Sequence, residues 1–265
     1  MTGQHKSVAL CPNFEVGNWR YKKLADHLFD WLPDAALRPN ERLSMLAEPH
    51  KTLAQACRRV FDVEDPDKRG EIGEILLHAA CRQEYGTAPF VARLFYKMRS
   101  NDSVTSVDVA HVLQNTDSGK LELWLGEAKL YKNIAQARSK ALESIKPLWE
   151  PTFLEEMKAL IGPKIESSAG YAEELTWLFA DETSLDQIID RIVIPICIAA
   201  DFDPTKGAAS RDPTYLRTVK EELEKTQEYF ENKVPEGVRF VVILVPLDCK
   251  QKIENHFNAK VQSFL

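Results

Sequence analysis

The chain has 265 residues, 44% of them apolar and 28% charged, enough for one globular domain with an elaboration or for two small domains. Its 34 Lys and Arg against 40 Asp and Glu leave a formal net charge of -6. That argues against a protein that coats nucleic acid by bulk charge, and leaves room for local basic patches or a partner that does the gripping. Cys11, Cys57, Cys81, Cys197 and Cys249 form no CxxC pair, so reduced thiols of a cytosolic protein are expected. The six histidines show neither HExxH nor finger spacing, which speaks against structural zinc. The opening MTGQHKSVALC has no secretory h-region, and the longest apolar run, IVIPICIAA, is too short for a bilayer. A cytoplasmic protein without a membrane segment is the expectation.

In chain order, residues 19–31 place Leu24, Leu28 and Trp31 at helical spacing, and Pro33 is expected to end that run. A second helix follows Pro49, with Leu53, Ala56, Cys57 and Val60 on one side, and DVEDPDKRG makes a polar joint. Residues 1–65 therefore read as a helical N-terminal arm, and 66–265 as the main domain. Residues 71–85 are helical, with Ile72, Ile75, Leu76 and Ala79 as the apolar stripe. PFVARLFYKM (89–98), SVDVAHVLQ (106–114) and LELWLGEAKLY (121–131) are strand-like, the last two joined by the turn NTDSGK. A helix over 133–149 comes next, then a mostly helical insertion at about 152–190. RIVIPICIAADF reads as a buried strand whose Pro195 argues for an edge or a bulge. A charged helix (213–233), the strand VRFVVILVPL and a last helix close the chain. Helix, three strands, helix, strand is the pattern of an antiparallel meander with a crossover helix. The fold class expected is α/β, a mixed sheet flanked by helices.

Alternation puts Glu127 and Lys129 on the face of Leu121, Leu123 and Leu125, while Ala128 points away and offers its carbonyl. Asp108 reads as mid-strand in the neighbouring strand, where a hairpin would bring it beside Glu127. Upstream, Glu71 and Glu74 lie on one side of a helix start. Carboxylates gathered at a sheet end repel unless something positive sits among them. An all-oxygen set favours Mg²⁺ or Mn²⁺ over zinc. A lysine beside the ion would orient a water or steady charge on a phosphate. The same residues have plain structural readings. Glu71 and Glu74 suit a helix N-terminus, Asp108 could protect an edge strand, and Glu127 with Lys129 could be a surface ion pair worth about 0.2–1 kcal/mol. His111 reads as a packed or hydrogen-bonded histidine. Lys132, Arg138 and Lys140, with Gln136, could touch phosphate or simply face solvent.

The order of elements resembles the PD-(D/E)xK nuclease core, with Asp108 as its aspartate and EAK (127–129) as its (D/E)xK. RGEIGEILL, VDVAHV and LWLGEAKLYKN look like the HamA family, the nuclease subunits of the Hachiman anti-phage defence system, formerly a domain of unknown function. The resemblance covers residues 69–133. It implies a restriction-endonuclease-like core, a metal held by Asp108, Glu127 and the Ala128 carbonyl, a catalytic Lys129, and Glu74 completing the site. It also implies Mg²⁺ or Mn²⁺ as cofactor, DNA as substrate, and a helicase partner, HamB. Val107 stands where the name-giving proline would be, and the QxxxY signature is absent, Lys140 following Gln136 four positions on. The expected function is a metal-dependent DNA nuclease working beside a helicase. The alternatives are a non-catalytic adaptor of the same fold and a nuclease acting on RNA.

Overall fold

The aliphatic runs build one six-stranded sheet. A computed structural model describes residues 5–43, 47–61, 70–91, 107–161 and 171–265. In chain order its strands are β1 (Val8–Ala9), the hairpin β2 (Phe14–Glu15) and β3 (Asn18–Trp19), β4 (Ala88–Val91), β5 (Val109–Gln114), β6 (Leu121–Tyr131), β7 (Ile192–Asp201) and β8 (Arg239–Leu247). The main sheet has the spatial order β1-β8-β7-β6-β5-β4. β4, β5 and β6 form the expected antiparallel meander, and β6, β7, β8 and β1 run parallel. The helices are α1 (Tyr21–Ala36), α2 (Pro39–Arg42), α3 (Pro49–Phe61), α4 (Glu71–Glu84), α5 (Ile134–Ile145), α6 (Pro151–Ile161), α7 (Ala172–Leu178), α8 (Leu185–Ile189), α9 (Asp203–Gly207), α10 (Pro213–Glu231) and α11 (Lys250–Gln262). The rest of the strand expected over 89–98, most of the polar joint and residues 162–170 of the insertion lie outside the described residues.

The period-2 alternation of β6 divides the interior into two cores. Trp124 and Ala128 face one core, shared with α1, α3, α4 and α11; Leu121, Leu123 and Leu125 face the other, shared with α5, α6 and α10. Among the described residues no helix is long and apolar enough to cross a membrane.

Three expectations change. Pro33 does not end the first helix: α1 runs on to Ala36, and the Leu37 amide closes the turn on the Pro33 carbonyl at 3.0 Å. Burial of Leu32, Ala36 and Leu37 outweighs the lost backbone bond there. Pro195 marks neither an edge nor a bulge: β7 pairs with β8 without a break, and its pairing with β6 skips Ile194 and Pro195 but resumes at Ile196 in the same register. The space for its ring comes from Gly126 on β6, where an added Cβ would lie 2.5 Å from Pro195 Cγ. Nor do the described residues of this N-terminal region stand apart, because β1 joins the sheet and α1 and α3 share the first core.

A buried polar chain ties that N-terminal region to the sheet. Asp34 on α1 takes both its carboxylate contacts from Arg42, at 2.5 and 2.6 Å, and faces His78 Nε2 of α4 at 3.7 Å. His78 Nδ1 lies 3.0 Å from His111 Nε2, and His111 Nδ1 lies 2.7 Å from Thr87 Oγ1. Burial pushes both imidazoles below 6.5, His111 far below. The Asp34 carboxyl falls from 3.8 to about 2, because His78, Arg42 and Arg82 together outweigh the desolvation that opposes them. The unfolded chain therefore binds protons that the folded one refuses once pH drops below about 6.5, the unperturbed histidine value. Stability should be full above that pH and fall on acidification, with a second decline below 3.8 as Asp34 protonates toward about 2. Thermal melts from pH 8 to pH 3 check this; a Tm constant down to pH 5 would contradict it.

Candidate metal-binding site

Asp108 sits one residue before β5 rather than mid-strand. Its amide donates to the Gly126 carbonyl at 2.6 Å, and its Oδ2 accepts the Ala128 amide at 2.8 Å. Val109 pairs with Gly126, so the antiparallel ladder sets Asp108 opposite Glu127 on the same face. Asp108 thus engages the Ala128 amide.

Glu127 is buried at 6% exposure, and Lys129 beside it is half-buried. The ammonium of Lys129 donates to Glu127 Oε1. Such a pair is not the solvent-exposed ion pair of the plain reading. Both side chains lie on the face of β6 that α5 covers, and Glu143 of α5 is held below the usual carboxylate range, chiefly by Lys140, with smaller contributions from Lys146 and Lys129. At this end of β6, two carboxylates from adjacent strands and one lysine share a face.

Glu74 approaches from the other side. Gly73 of α4 rests on β6, where an added Cβ would meet the Ala128 and Leu130 Cβ atoms at 3.5 and 3.6 Å. Glu74, in the first turn of α4, is buried on this Ala128 face, and Glu71 is half-buried. Among the described residues no three His, Cys, Asp or Glu side chains form a group that could hold a metal ion. Two carboxylates still fit Mg²⁺ or Mn²⁺, because magnesium keeps several waters and is usually held by one or two carboxylates plus substrate phosphates. The donor set therefore fits a hard cation through Asp108 and Glu127.

The three basic candidates separate. Lys132, just past β6, and Lys140 are exposed, and Lys140 pairs with Glu143 at 2.8 Å. Arg138 is committed to the fold: it pairs with Glu222 of α10 and donates to Thr226 Oγ1 at 2.6 and 3.0 Å. Both members of the Arg138–Glu222 pair are at most 15% exposed. Arg138→Ala should therefore cost stability, up to about 3–5 kcal/mol for a stranded partner, in a thermal melt. Lys132→Ala and Lys140→Ala should leave Tm unchanged. Equal Tm for all three variants would contradict this.

Sequence reasoning missed several partners. Glu122, on β6 with 2% exposure, gathers His5, Asn115, Arg239 and the Trp124 indole. His5 and Asn115 contribute most to holding its carboxyl at about 2 against desolvation. The alternation in LELWL hid it, since a polar residue at an even position reads as solvent-facing. Asp34, His78 and Thr87 carried no local signal; their partners lie on other elements.

A family model described as HamA matches residues 2–261. The chain belongs to the HamA family. The match takes in the N-terminal region and the insertion as well as the motifs of residues 69–133. The anti-bacteriophage protein A of Escherichia coli (strain K12) is similar to this HamA chain, 24% identical over 136 residues. That match covers 49% of this chain and 24% of the relative, so the chain accounts for about a quarter of that protein's length.

Proposed function

We propose that this HamA-family chain is a metal-dependent deoxyribonuclease with a PD-(D/E)xK-type site, serving anti-phage defence beside a helicase. The observation that carries the reading is the placement of Asp108, Glu127 and Lys129 on one face, where the meander meets the crossover helix. The name of the Escherichia coli relative supports the defence role. The net charge of -6 suits a subunit that takes its DNA affinity from a partner such as HamB.

Asp108 and Glu127 would hold Mg²⁺ or Mn²⁺, with the Ala128 carbonyl beside them and Glu74 supporting from the α4 side. The ion supplies Lewis-acid polarisation of the phosphate and a more acidic bound water. Lys129 Nζ, exchanged from the Glu127 oxygen to the scissile phosphate, steadies charge there and orients the attacking water. Lys132 and Lys140 offer exposed ammonium groups to the phosphate backbone.

The test is incubation of plasmid DNA and of an RNA of similar length with the chain, with and without the helicase, in Mg²⁺ or in excess EDTA. DNA cleavage that requires the metal is expected. Cleavage of RNA alone would redirect the substrate assignment. No cleavage in any arm, with the helicase still bound, would establish the adaptor instead.

A further inference from the structure

We infer that the buried chain Thr87–His111–His78–Asp34 is a positioning device for Asp108, and through it sets the metal affinity of the site; this rests on the nuclease reading above. His111 is on β5, three residues beyond Asp108. By alternation its side chain leaves the opposite face of the strand, where it is 1% exposed. On the other side of β5, among the described residues, lies β4, whose register shifts between Pro89 and Val91. β5 pairs with β6 along six consecutive residues, from Val109↔Gly126 to Gln114↔Leu121, and a one-residue slip of that ladder would turn Asp108 away from Glu127.

The buried polar chain adds a side-chain constraint to that backbone register, tying β5 to α4. His78 Nε2 lies 3.7 Å from the Asp34 carboxylate, beyond hydrogen-bond distance, but the negative charge there favours the tautomer with its proton on Nε2 and leaves Nδ1 as an acceptor. His111 Nε2–H then donates to His78, and His111 Nδ1 accepts from the Thr87 hydroxyl. Reversed, the chain would aim a lone pair at a carboxylate, so one proton arrangement prevails. Asp34 in turn is fixed by Arg42, with Arg82 at 3.9 Å.

Helix α4 is consequently fastened to the sheet at two points. Gly73 lies on Ala128, whose amide holds Asp108. His78, just over one turn later, holds the strand that Asp108 begins. An apolar pair at 78 and 111 would fill the same space without specifying register.

The experiment measures Mn²⁺ affinity of the full chain at neutral pH, by the EPR signal of free Mn²⁺, well below the lowest Tm of the set. Asp108→Ala is the reference and should lose binding. His111→Phe, which keeps the bulk and loses the bonds, should bind Mn²⁺ more weakly by about 10–100-fold, the usual cost of removing a ligand's supporting partner. His111→Gln, which keeps a donor toward His78, should recover most of that loss, a rescue that bulk packing does not explain. Thr87→Val, a gentler cut at the end of the chain, should weaken binding in the same direction and decides the matter if His111→Phe does not fold. Wild-type Mn²⁺ affinity in folded His111→Phe or, where that variant is unfolded, in Thr87→Val would overturn the inference. Wild-type protein whose Mn²⁺ binding is absent, or is unaffected by Asp108→Ala, would instead overturn the metal reading and the inference with it.

Discussion

Replacing Lys129 by glutamine is expected to lower DNA cleavage by about 10²–10³-fold, the usual cost of removing one preorganised electrostatic stabiliser, while the chain keeps its fold and its metal. Glutamine retains a donor for the Glu127 oxygen that Lys129 now contacts, so it isolates the positive charge. Alanine is the harsher substitution. Glu127 is 6% exposed, and stripping its ammonium would strand a buried carboxylate at about 3–5 kcal/mol. Glu127→Gln and Asp108→Ala should lose metal binding and cleavage together, because each removes a carboxylate from the shared face. Cleavage, Mn²⁺ affinity and Tm measured on the same preparations separate the roles. Wild-type cleavage by folded Lys129→Gln would remove the lysine from the chemistry and leave it a structural partner of Glu127.

The second large effect is expected at Gly126, where alanine has no room. Its Cβ would lie 2.5 Å from both the Pro195 ring and the Pro195 carbonyl oxygen, and 3.0 Å from Val109 Cγ2. Two of these three contacts belong to the central strand pair, which cannot yield without spreading β6 from β7. Overpacking of this kind costs about 1–3 kcal/mol, occasionally more, and each kcal/mol lowers Tm by about 2–4 °C at this chain length. The displacement would also reach the site, since the Gly126 carbonyl accepts the Asp108 amide and Glu127 is the next residue. Adding Pro195→Ala should recover part of the loss, because it removes the ring and leaves the carbonyl. Unchanged Tm and unchanged Mn²⁺ affinity in Gly126→Ala would contradict this packing.

Much of this architecture was legible in the sequence because it is written locally. The 3.6-residue stripe of Ile72, Ile75, Leu76 and Ala79 gave α4, and the period-2 run of Leu121, Leu123 and Leu125 gave β6 with its faces assigned. Turn chemistry in NTDSGK, where Gly119 adopts φ +66°, gave the hairpin that aligns Asp108 with Glu127. What failed depends on contacts distant in sequence. Pro195 looked like the mark of an edge or a bulge because Gly126, which makes room for its ring, lies 69 positions earlier on another strand. Pro33 looked like a helix stop because the burial that carries α1 past it comes from tertiary packing. Arg138 could be read as a phosphate contact or a solvated residue, but not as an internal ion pair, because Glu222 is 84 residues away. Glu74 was placed with the other carboxylates by sequence, and α4 brings it in from the Ala128 side of β6. Helical periodicity says which face of a helix is buried, not which face of the sheet receives it.

The most direct measurement is a crystal structure of the chain soaked in Mn²⁺, with anomalous differences collected to locate the ion. A peak between the Asp108 and Glu127 carboxylates, with Lys129 moved off the Glu127 oxygen, is the predicted result. Its absence there at saturating Mn²⁺, with the Lys129–Glu127 contact intact, would contradict the assignment of these residues to a metal centre.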